Sequence, residues 1–244
     1  MSNFSHSSRE FYENLYQHED FFNPARDIYN DLRVQTIANL IRDVEGSLLI
    51  VGCGSGKDLA MASPSQKIVA FDLSFHAVRK ISEERADLLV ANALHLPFPD
   101  EYFSVLVCSE VLEHIPDIKQ AVQEFHRVLK KDGVLVVSSP NWLSWFGLAR
   151  WAGETFLKRP FHSSDQPYDD WKTLWKYQRE LAPEFTVEQA RGVWYLPPMH
   201  YKGKGLSPSW TKGIYTLFRP LEAFFSKALP FLGHLIVLKC SPSK

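Results

Sequence analysis

Along the first half of the chain, apolar runs without alternation stand between segments of helical period. Val34, Ile37, Ala38 and Ile41 recur at i, i+3, i+4 and i+7, so residues 10–43 are expected to be helical with one buried face. Leu48–Val51 is a short apolar run stopped by Gly52, and a short helix is expected from Gly56. Ile68–Phe71, ended by Asp72, reads as a second strand; Asp87–Ala91 and Phe103–Cys108 read as the third and fourth. Residues 75–85 suit a helix, and 117–131 make the clearest one. Ile118, Ala121, Val122, Phe125, Val128 and Leu129 share one side of it, with Lys and Gln opposite. Lys130 and Lys131 favour its C-terminal end, and Asp132-Gly133 is expected to stop it. Val134–Val137 makes a fifth strand, closed by Pro140. Apolar strands alternating with helices predict an α/β fold, a doubly wound and mostly parallel sheet covered on both faces. Ligands of such sheets bind beyond the carboxyl ends of the strands, where Gly52–Gly56, Asp72, Asn92 and Ser109–His114 fall.

The pattern changes after Asn141. All seven tryptophans lie between Trp142 and Trp210. NWLSWFGLARW leaves little polar face if helical, and the segment that follows reads as a loop and a helix. FTVEQARGVWYLPP reads as a helix-to-strand return with Val193–Leu196 as the sixth strand. LSPSWTKGIYTLFRPLEAFFSKALP is an aromatic amphipathic helix, and HLIVLKCSP a final strand. The expected plan is one domain over 1–244: N-terminal helices to 44, a core over 45–141, an aromatic-rich cap over 142–184, and a strand-helix-strand return over 185–244.

A chain of 244 residues, 45% hydrophobic, can bury one substantial core and a cap. A formal net charge of −1 supplies no global basic field, so DNA is not an expected partner, and RNA would need a local basic stripe. Cys53, Cys108 and Cys240 show no paired or metal-binding spacing. The N-terminal MSNFSHSSREFYENLY lacks a signal-peptide apolar stretch, and no apolar run approaches the ~20 residues that span a bilayer. These features lead us to expect a cytoplasmic protein. Lys and Arg beside aromatics in Trp142–Trp151 and Tyr215–Phe231 leave room for peripheral membrane contact.

The stretch LLIVGCGSGKDL carries the most specific chemistry. A P-loop would need glycine at 51 and Ser or Thr at 58, where Val51 and Asp58 stand. The dinucleotide fingerprint would need Gly or Ala at 57, where Lys57 would obstruct close packing; this weakens a nicotinamide oxidoreductase. What remains is G-x-G-x-G at Gly52, Gly54 and Gly56, bare backbone that lets a ligand approach closely, with Asp72 placed to accept from two ribose hydroxyls.

LLIVGCGSG, IVAFDLS, ANALHLPFPDEYFSVLVCSEVLEHIPD and FHRVLKKDGVLVVSSPN resemble the successive motifs of class I S-adenosylmethionine-dependent methyltransferases, over residues 45–141. The nearest likeness is to the small-molecule group that includes quinone-biosynthesis enzymes. The resemblance implies a seven-stranded sheet with an antiparallel last strand, S-adenosyl-L-methionine as cofactor, and a small or lipid-like acceptor, with O-methylation favoured over C- or N-methylation. It places Gly52, Cys53, Gly54 and Gly56 under the methionine and ribose, and Asp72 on the ribose. Leu73 falls against the adenine, Asn92 and Ala93 at the adenine amino group, and Ser109 and Glu110 near the methionine. It makes His114 the candidate base and, as an alternative, makes Glu110, Glu113 and His114 a metal cluster. The blander reading of Glu113 and His114 is that they cap the helix beginning near Pro116. His162, His200, Tyr168, Tyr195 and Tyr201 are weaker candidates for a part in the chemistry. Ile50 departs from the family, which usually has an acid there. A non-catalytic cofactor-binding protein and an RNA methyltransferase are the rival readings.

Overall fold

The computed structural model describes residues 2–18, 24–156, 158, 167–197, 200–201 and 204–243. The helices are α1 (Ser2–His18), α2 (Pro24–Ile41), α3 (Phe75–Arg79), α4 (Ile118–Val128), α5 (Trp145–Phe156), α6 (Leu174–Leu181) and α7 (Pro208–Ala228). The strands are β1 (Ser47–Val51), β2 (Lys67–Asp72), β3 (Ala86–Val90), β4 (Phe103–Ser109), β5 (Leu129–Pro140), β6 (Phe185–Val193), β7 (His200–Tyr201), β8 (Lys204–Gly205) and β9 (Leu235–Pro242). Seven strands form one sheet in the order β3-β2-β1-β4-β5-β9-β6. The first five run parallel, and β9 lies antiparallel between β5 and β6. β7 and β8 form a separate two-residue ribbon.

Both sheet faces are covered, which is why the strand sequences do not alternate. Leu49, Val51, Phe71, Leu106 and Val137 point into one core layer, shared with Val122 and Phe125 of α4 and Tyr177 and Leu181 of α6. Leu48, Ile50, Ala70, Val107 and Val237 point into the other, shared with Ile37 and Ile41 of α2. The strand order reverses direction at β1 and β4, the adjacent pair at the centre of the sheet. Their carboxyl ends therefore open the crevice in which such folds bind ligands.

Several expected boundaries move. The helix expected over 117–131 ends at Val128, because Leu129 is buried and pairs with Phe103, so β5 starts there and not at Val134. The helix expected over 75–85 stops at Arg79, and Ile81 turns inward beneath Gly56. The third strand runs over Ala86–Val90, one residue earlier than read. The region 10–43 holds two helices, with 19–23 outside the described residues. The largest revision concerns the sixth strand. Residues 185–193 form it, antiparallel to β9 with a register shift between Val187 and Gln189, and Trp194, at φ 65°, ends it where the strand was expected to begin. β6 is an edge strand, so its polar, half-exposed residues do not show the continuous apolar run of the inner strands.

One ion pair ties α2 to the centre of the sheet. Arg33, 6% exposed, makes a two-pronged contact with Asp58 (Nη1–Oδ2 3.0 Å, Nη2–Oδ1 2.6 Å) and also donates to Ser109 Oγ. Removing one partner of such a pair leaves an uncompensated buried charge. We expect Asp58→Ala to lower the unfolding free energy by ~3–5 kcal/mol in denaturant titration. The double change Arg33→Met/Asp58→Leu should recover most of that loss. A single substitution costing no more than an exposed pair, under about 1 kcal/mol, would contradict the assignment.

Candidate active site

The crevice is built on the turn that leaves β1. Gly52 and Gly54 have φ of 67° and 49°, the left-handed region that side chains rarely adopt. Space forbids a side chain as well: a Cβ at Gly52 would lie 2.4 Å from Val111 Cγ2, and one at Gly54 2.7 Å from the Tyr16 hydroxyl. Cys53, buried, anchors the turn by donating its N–H to Phe71 O at 2.9 Å, and Gly56 N–H donates to Cys53 O at 2.8 Å.

Asp72 closes β2 beside this turn. Its Oδ2 accepts from Gly54 N–H and its Oδ1 from Ser74 N–H, both at 2.9 Å. A carboxylate has about four lone-pair sites, so both oxygens can accept further bonds from a diol. Burial raises the Asp72 carboxyl above its ordinary range, against the N–H bonds from Ser74 and Gly54. Leu73 is half-buried next to it. Farther along the crevice, Ala91 N–H donates to Asp72 O, and Asn92 Oδ1 accepts from Leu94 N–H at 3.0 Å in a local turn, with Ala93 buried behind.

On the other side of β1, Glu110 follows β4 with φ 57°. A ladder of hydroxyls spans the strand ends here. Ser109 Oγ and Ser138 Oγ are 2.8 Å apart, and Ser138 Oγ donates to Glu110 Oε1 at 2.9 Å. Next to it, Ser139 Oγ donates to Glu113 Oε2 at 2.6 Å and lies 2.7 Å from Tyr177 Oη. Burial raises both carboxyls, and the charge of Glu113 adds to the rise at Glu110 against the pull of Arg33. His114 Nδ1 lies 3.1 Å from Tyr168 O, and its Nε2 lies 3.8 Å from Glu113 Oε1.

The sequence-derived residues thus gather at neighbouring strand ends, with three changes. Glu113 does not cap the helix after Pro116: Asp117 does, accepting Gln120 N–H at 3.1 Å, and Glu113 is spent inward on Ser139. Glu110, Glu113 and His114 do not converge, and no metal-binding group of three is found among the described residues. Tyr195 is structural, donating to Phe225 O and Leu229 O at 2.9 Å. Tyr168 donates to Asp170 Oδ2 at 3.3 Å. His162 and the side chains of His200 and Tyr201 lie outside the described residues. Ile50 is fully buried in the α2 layer, so it offers the crevice no polar group.

Sequence reasoning missed the roof. Tyr12 and Tyr16, four apart on α1, lean over the crevice: Tyr16 covers Gly54, and the Tyr12 ring lies 6.3 Å from that of His114. Burial, then neighbouring carboxylates, push both phenols up, so they stay protonated donors. Glu13, between them, accepts from Ser74 Oγ (2.8 Å), Phe75 N–H (2.9 Å) and His76 N–H (3.0 Å), and its Oε2 lies 2.7 Å from His76 Nδ1. The i, i+4 spacing of the tyrosines was a readable signal. So was Arg33, a cation in the i, i+4, i+8 row of Ile37 and Ile41.

The cap closes the far end. Trp142, Phe146 and Trp171 pack with centroids 5.8 Å apart, and Arg150 stacks on Trp142 and Trp171 at 5.0 and 4.7 Å while pairing with Asp169. His234 lies 4.9 Å from Phe146 and stacks on Trp194; burial pushes its imidazole down to about 4, so it is neutral. Asn141 pins this group by donating to Phe231 O and Gly233 O. Asp170 N–H donates to Glu113 O, which brings the cap onto the post-β4 loop.

Residues 49–137 match the family described as Methyltransferase domain. Over those residues the chain carries a class I S-adenosylmethionine-dependent methyltransferase domain. A probable S-adenosylmethionine-dependent methyltransferase of Mycobacterium tuberculosis is 32% identical over 131 residues, covering 52% of this chain and 46% of the relative. A ubiquinone biosynthesis O-methyltransferase of Pseudomonas putida is 30% identical over 154 residues, 58% of this chain and 66% of the relative. The chain therefore spans about half the length of the mycobacterial methyltransferase. In fold it is similar to a methyltransferase of Thermotoga maritima described as a possible histamine N-methyltransferase, with TM-score 0.68 and 16% identity over 96% of this chain and 98% of that one.

The clamp on the roof gives a pH prediction. Although burial opposes it, hydrogen bonds from His76, Phe75 and Ser74 lower the Glu13 carboxyl to about 2. Its contribution is present above the unfolded carboxylate pKa and is lost as pH falls toward about 2. Glu13→Gln should speed amide exchange over 7–18 at neutral pH, and wild type should approach the variant on acidification. Identical protection in the two proteins at neutral pH would remove Glu13 from the clamp.

Proposed function

We propose that this chain transfers a methyl group from S-adenosylmethionine to a small or lipid-like acceptor, with oxygen as the favoured target atom. The reading rests on one observation: two left-handed glycines, Gly52 and Gly54, beside a buried carboxylate, Asp72, whose N–H bonds leave acceptor sites open. Gly52, Cys53, Gly54 and Gly56 would line the cofactor, Asp72 would take the ribose hydroxyls, and Leu73, Asn92 and Ala93 would border the adenine. Ser109 and Glu110 would face the methionine end, under Tyr16. When bound, the cofactor supplies a methyl group already activated on a sulfonium, so the protein's work is mainly alignment.

His114 suits the proton transfer an oxygen acceptor requires. Its Nδ1–H donates to Tyr168 O, which fixes the tautomer and leaves Nε2 as the basic nitrogen. Tyr12 packs against its ring edge, and Glu113 Oε1 lies 3.8 Å from Nε2. The rings of Phe146, Trp171 and Trp194 packed around His234 would favour a planar or apolar acceptor over a charged one. The name of the pseudomonad relative adds support for oxygen. A lipid-like acceptor would set the protein to work beside a membrane surface.

Calorimetric titration should show saturable binding of S-adenosylmethionine and of its demethylated product. Asp72→Ala should weaken it about tenfold to a hundredfold, the loss of a charged hydrogen bond at ~1.5–3 kcal/mol. In a screen of phenolic and quinol acceptors, His114→Gln should keep cofactor affinity and lose ~10²–10⁴ in turnover. Binding without turnover on any acceptor would favour a non-catalytic cofactor-binding protein. Binding of a nicotinamide dinucleotide in its place would overturn the reading.

A further inference from the structure

Four cations line one groove, and none of them meets an acid. The groove, of about 470 Å³, runs between α2, β6 and α7, and Arg42, Arg191, Arg219 and Lys227 stand in its wall. Arg219, Ala223, Ser226 and Lys227, at i, i+4, i+7 and i+8, form the face that α7 turns to it. Other arginines of the chain are neutralised: Arg33 pairs with Asp58, Arg127 with Glu124 and Asp100, and Arg150 with Glu154 and Asp169. Among the described residues, the four cations of the groove have no such partner.

Amide oxygens hold the arginine heads instead. Asn39 accepts from Arg42, and Gln35 accepts from Arg219 Nη2 at 2.6 Å. Gln189 accepts from Arg191 Nη2 at 2.8 Å, and Ala190 O takes Nη1 at 2.9 Å. An amide carries no net charge, so it fixes a guanidinium in place and leaves the positive charge uncancelled. These bonds use only part of each donor fork, so donors remain for a ligand. Glu222 is the acid in the wall. It is buried, and its two oxygens are taken by Trp194 N–H at 2.6 Å and Tyr195 N–H at 3.3 Å. Cations therefore outnumber acids four to one in the groove, in a chain whose formal net charge is −1.

Forked donors held in place with their charge intact are suited to phosphate oxygens. The volume falls within the ~300–1,000 Å³ of small-molecule sites, and Leu32, Leu40, Val193 and Ala223 give an organic body an apolar wall. Asp43 and Glu188, exposed and next in the chain to Arg42 and Gln189, confine the basic field. They stand against an RNA backbone, which needs cations along a length of surface.

We propose that this groove is a second ligand site, one that takes a soluble phosphorylated small molecule, with Arg191 of β6 and Arg219 of α7 on its phosphate oxygens and Arg42 and Lys227 adding charge around them. None of the groove's lining residues is among those assigned to the cofactor, so the site stands apart from the methyl-transfer reading.

Calorimetric titration of the full chain with inorganic pyrophosphate and with uridine diphosphate tests the site without methyl transfer. Both should bind saturably, the nucleotide more tightly because its body gains the apolar wall, and salt should weaken both. Arg191→Gln and Arg219→Gln should each weaken binding about tenfold, the loss of a charge-assisted hydrogen bond. Gln35→Ala, which loosens the Arg219 head and keeps its charge, should weaken it less. Unchanged thermal unfolding and S-adenosylmethionine affinity would show the variants folded, and saturating S-adenosylmethionine should leave the uridine diphosphate affinity as it was. Absence of saturable binding by either compound would overturn the proposal, and so would equal binding by wild type and the double variant Arg191→Gln/Arg219→Gln. Displacement by S-adenosylmethionine would move the phosphate to the crevice after β1. Preference for structured RNA or for vesicles containing phosphatidic acid, lost in the same double variant, would take the groove away from small molecules.

Discussion

The donation of Gly54 N–H to Asp72 Oδ2 is the contact on which the crevice depends. It couples the turn after β1 to the end of β2, and it is possible because Gly54 sits at φ 49° with its Cα bare. A side chain there would meet the Tyr16 hydroxyl and lift the roof; any other backbone conformation would turn the N–H away from the carboxylate. The sheet supplies the rest: β1 and β2 pair in register from Ser47↔Lys67 to Val51↔Phe71, so both strand ends arrive at one level. The cost is a desolvated carboxylate, visible in the raised Asp72 pKa. A ligand bringing hydroxyl donors to Asp72 would offset that cost.

The same economy runs through the whole upper edge of the sheet. Glu110, Glu113, Arg33 and Asp58 bring four ionisable groups into a region otherwise made of apolar strand ends. Ser109, Ser138 and Ser139 hold them in fixed positions, since a hydroxyl can donate to one group and accept from another. Arg33 answers Asp58 directly and Glu110 through space, so α2 acts on the site electrostatically from the opposite core layer. Charge that would be unwelcome in a core is tolerated because each group is bonded in place, which is also why removing one member should be costly.

How much of this was legible in the sequence follows from what each signal measures. Buried parallel strands leave continuous apolar runs, so β1, β2 and β4 could be read to within a residue or so, and the strand-end positions of Gly52, Asp72 and Glu110 followed. β6 lacks that signature: on the sheet edge, Thr186, Glu188 and Gln189 face water and read as helix or loop. Leu129 continued the apolar row of α4 and so looked helical, but its pairing with Phe103 takes it into β5. The roof was hidden for a different reason. Tyr12, Glu13 and Tyr16 act by contacts 38 to 64 residues away in the chain or more, and no local period reports a contact of that kind.

The cleft, the aromatic cap and α7 meet at one edge of the sheet. Both connections of α7 begin and end at the edge of the sheet that carries the crevice: β6 leaves at Val193 and β9 enters at Leu235, opposite Pro140 at the end of β5. The same edge carries Trp142, Phe146, Trp171 and His234. Trp194 belongs to both parts, since it stacks on His234 while its N–H is held by Glu222 of α7. Through Trp194, the aromatic group around His234 and helix α7 form one continuous structure at the crevice edge of the sheet.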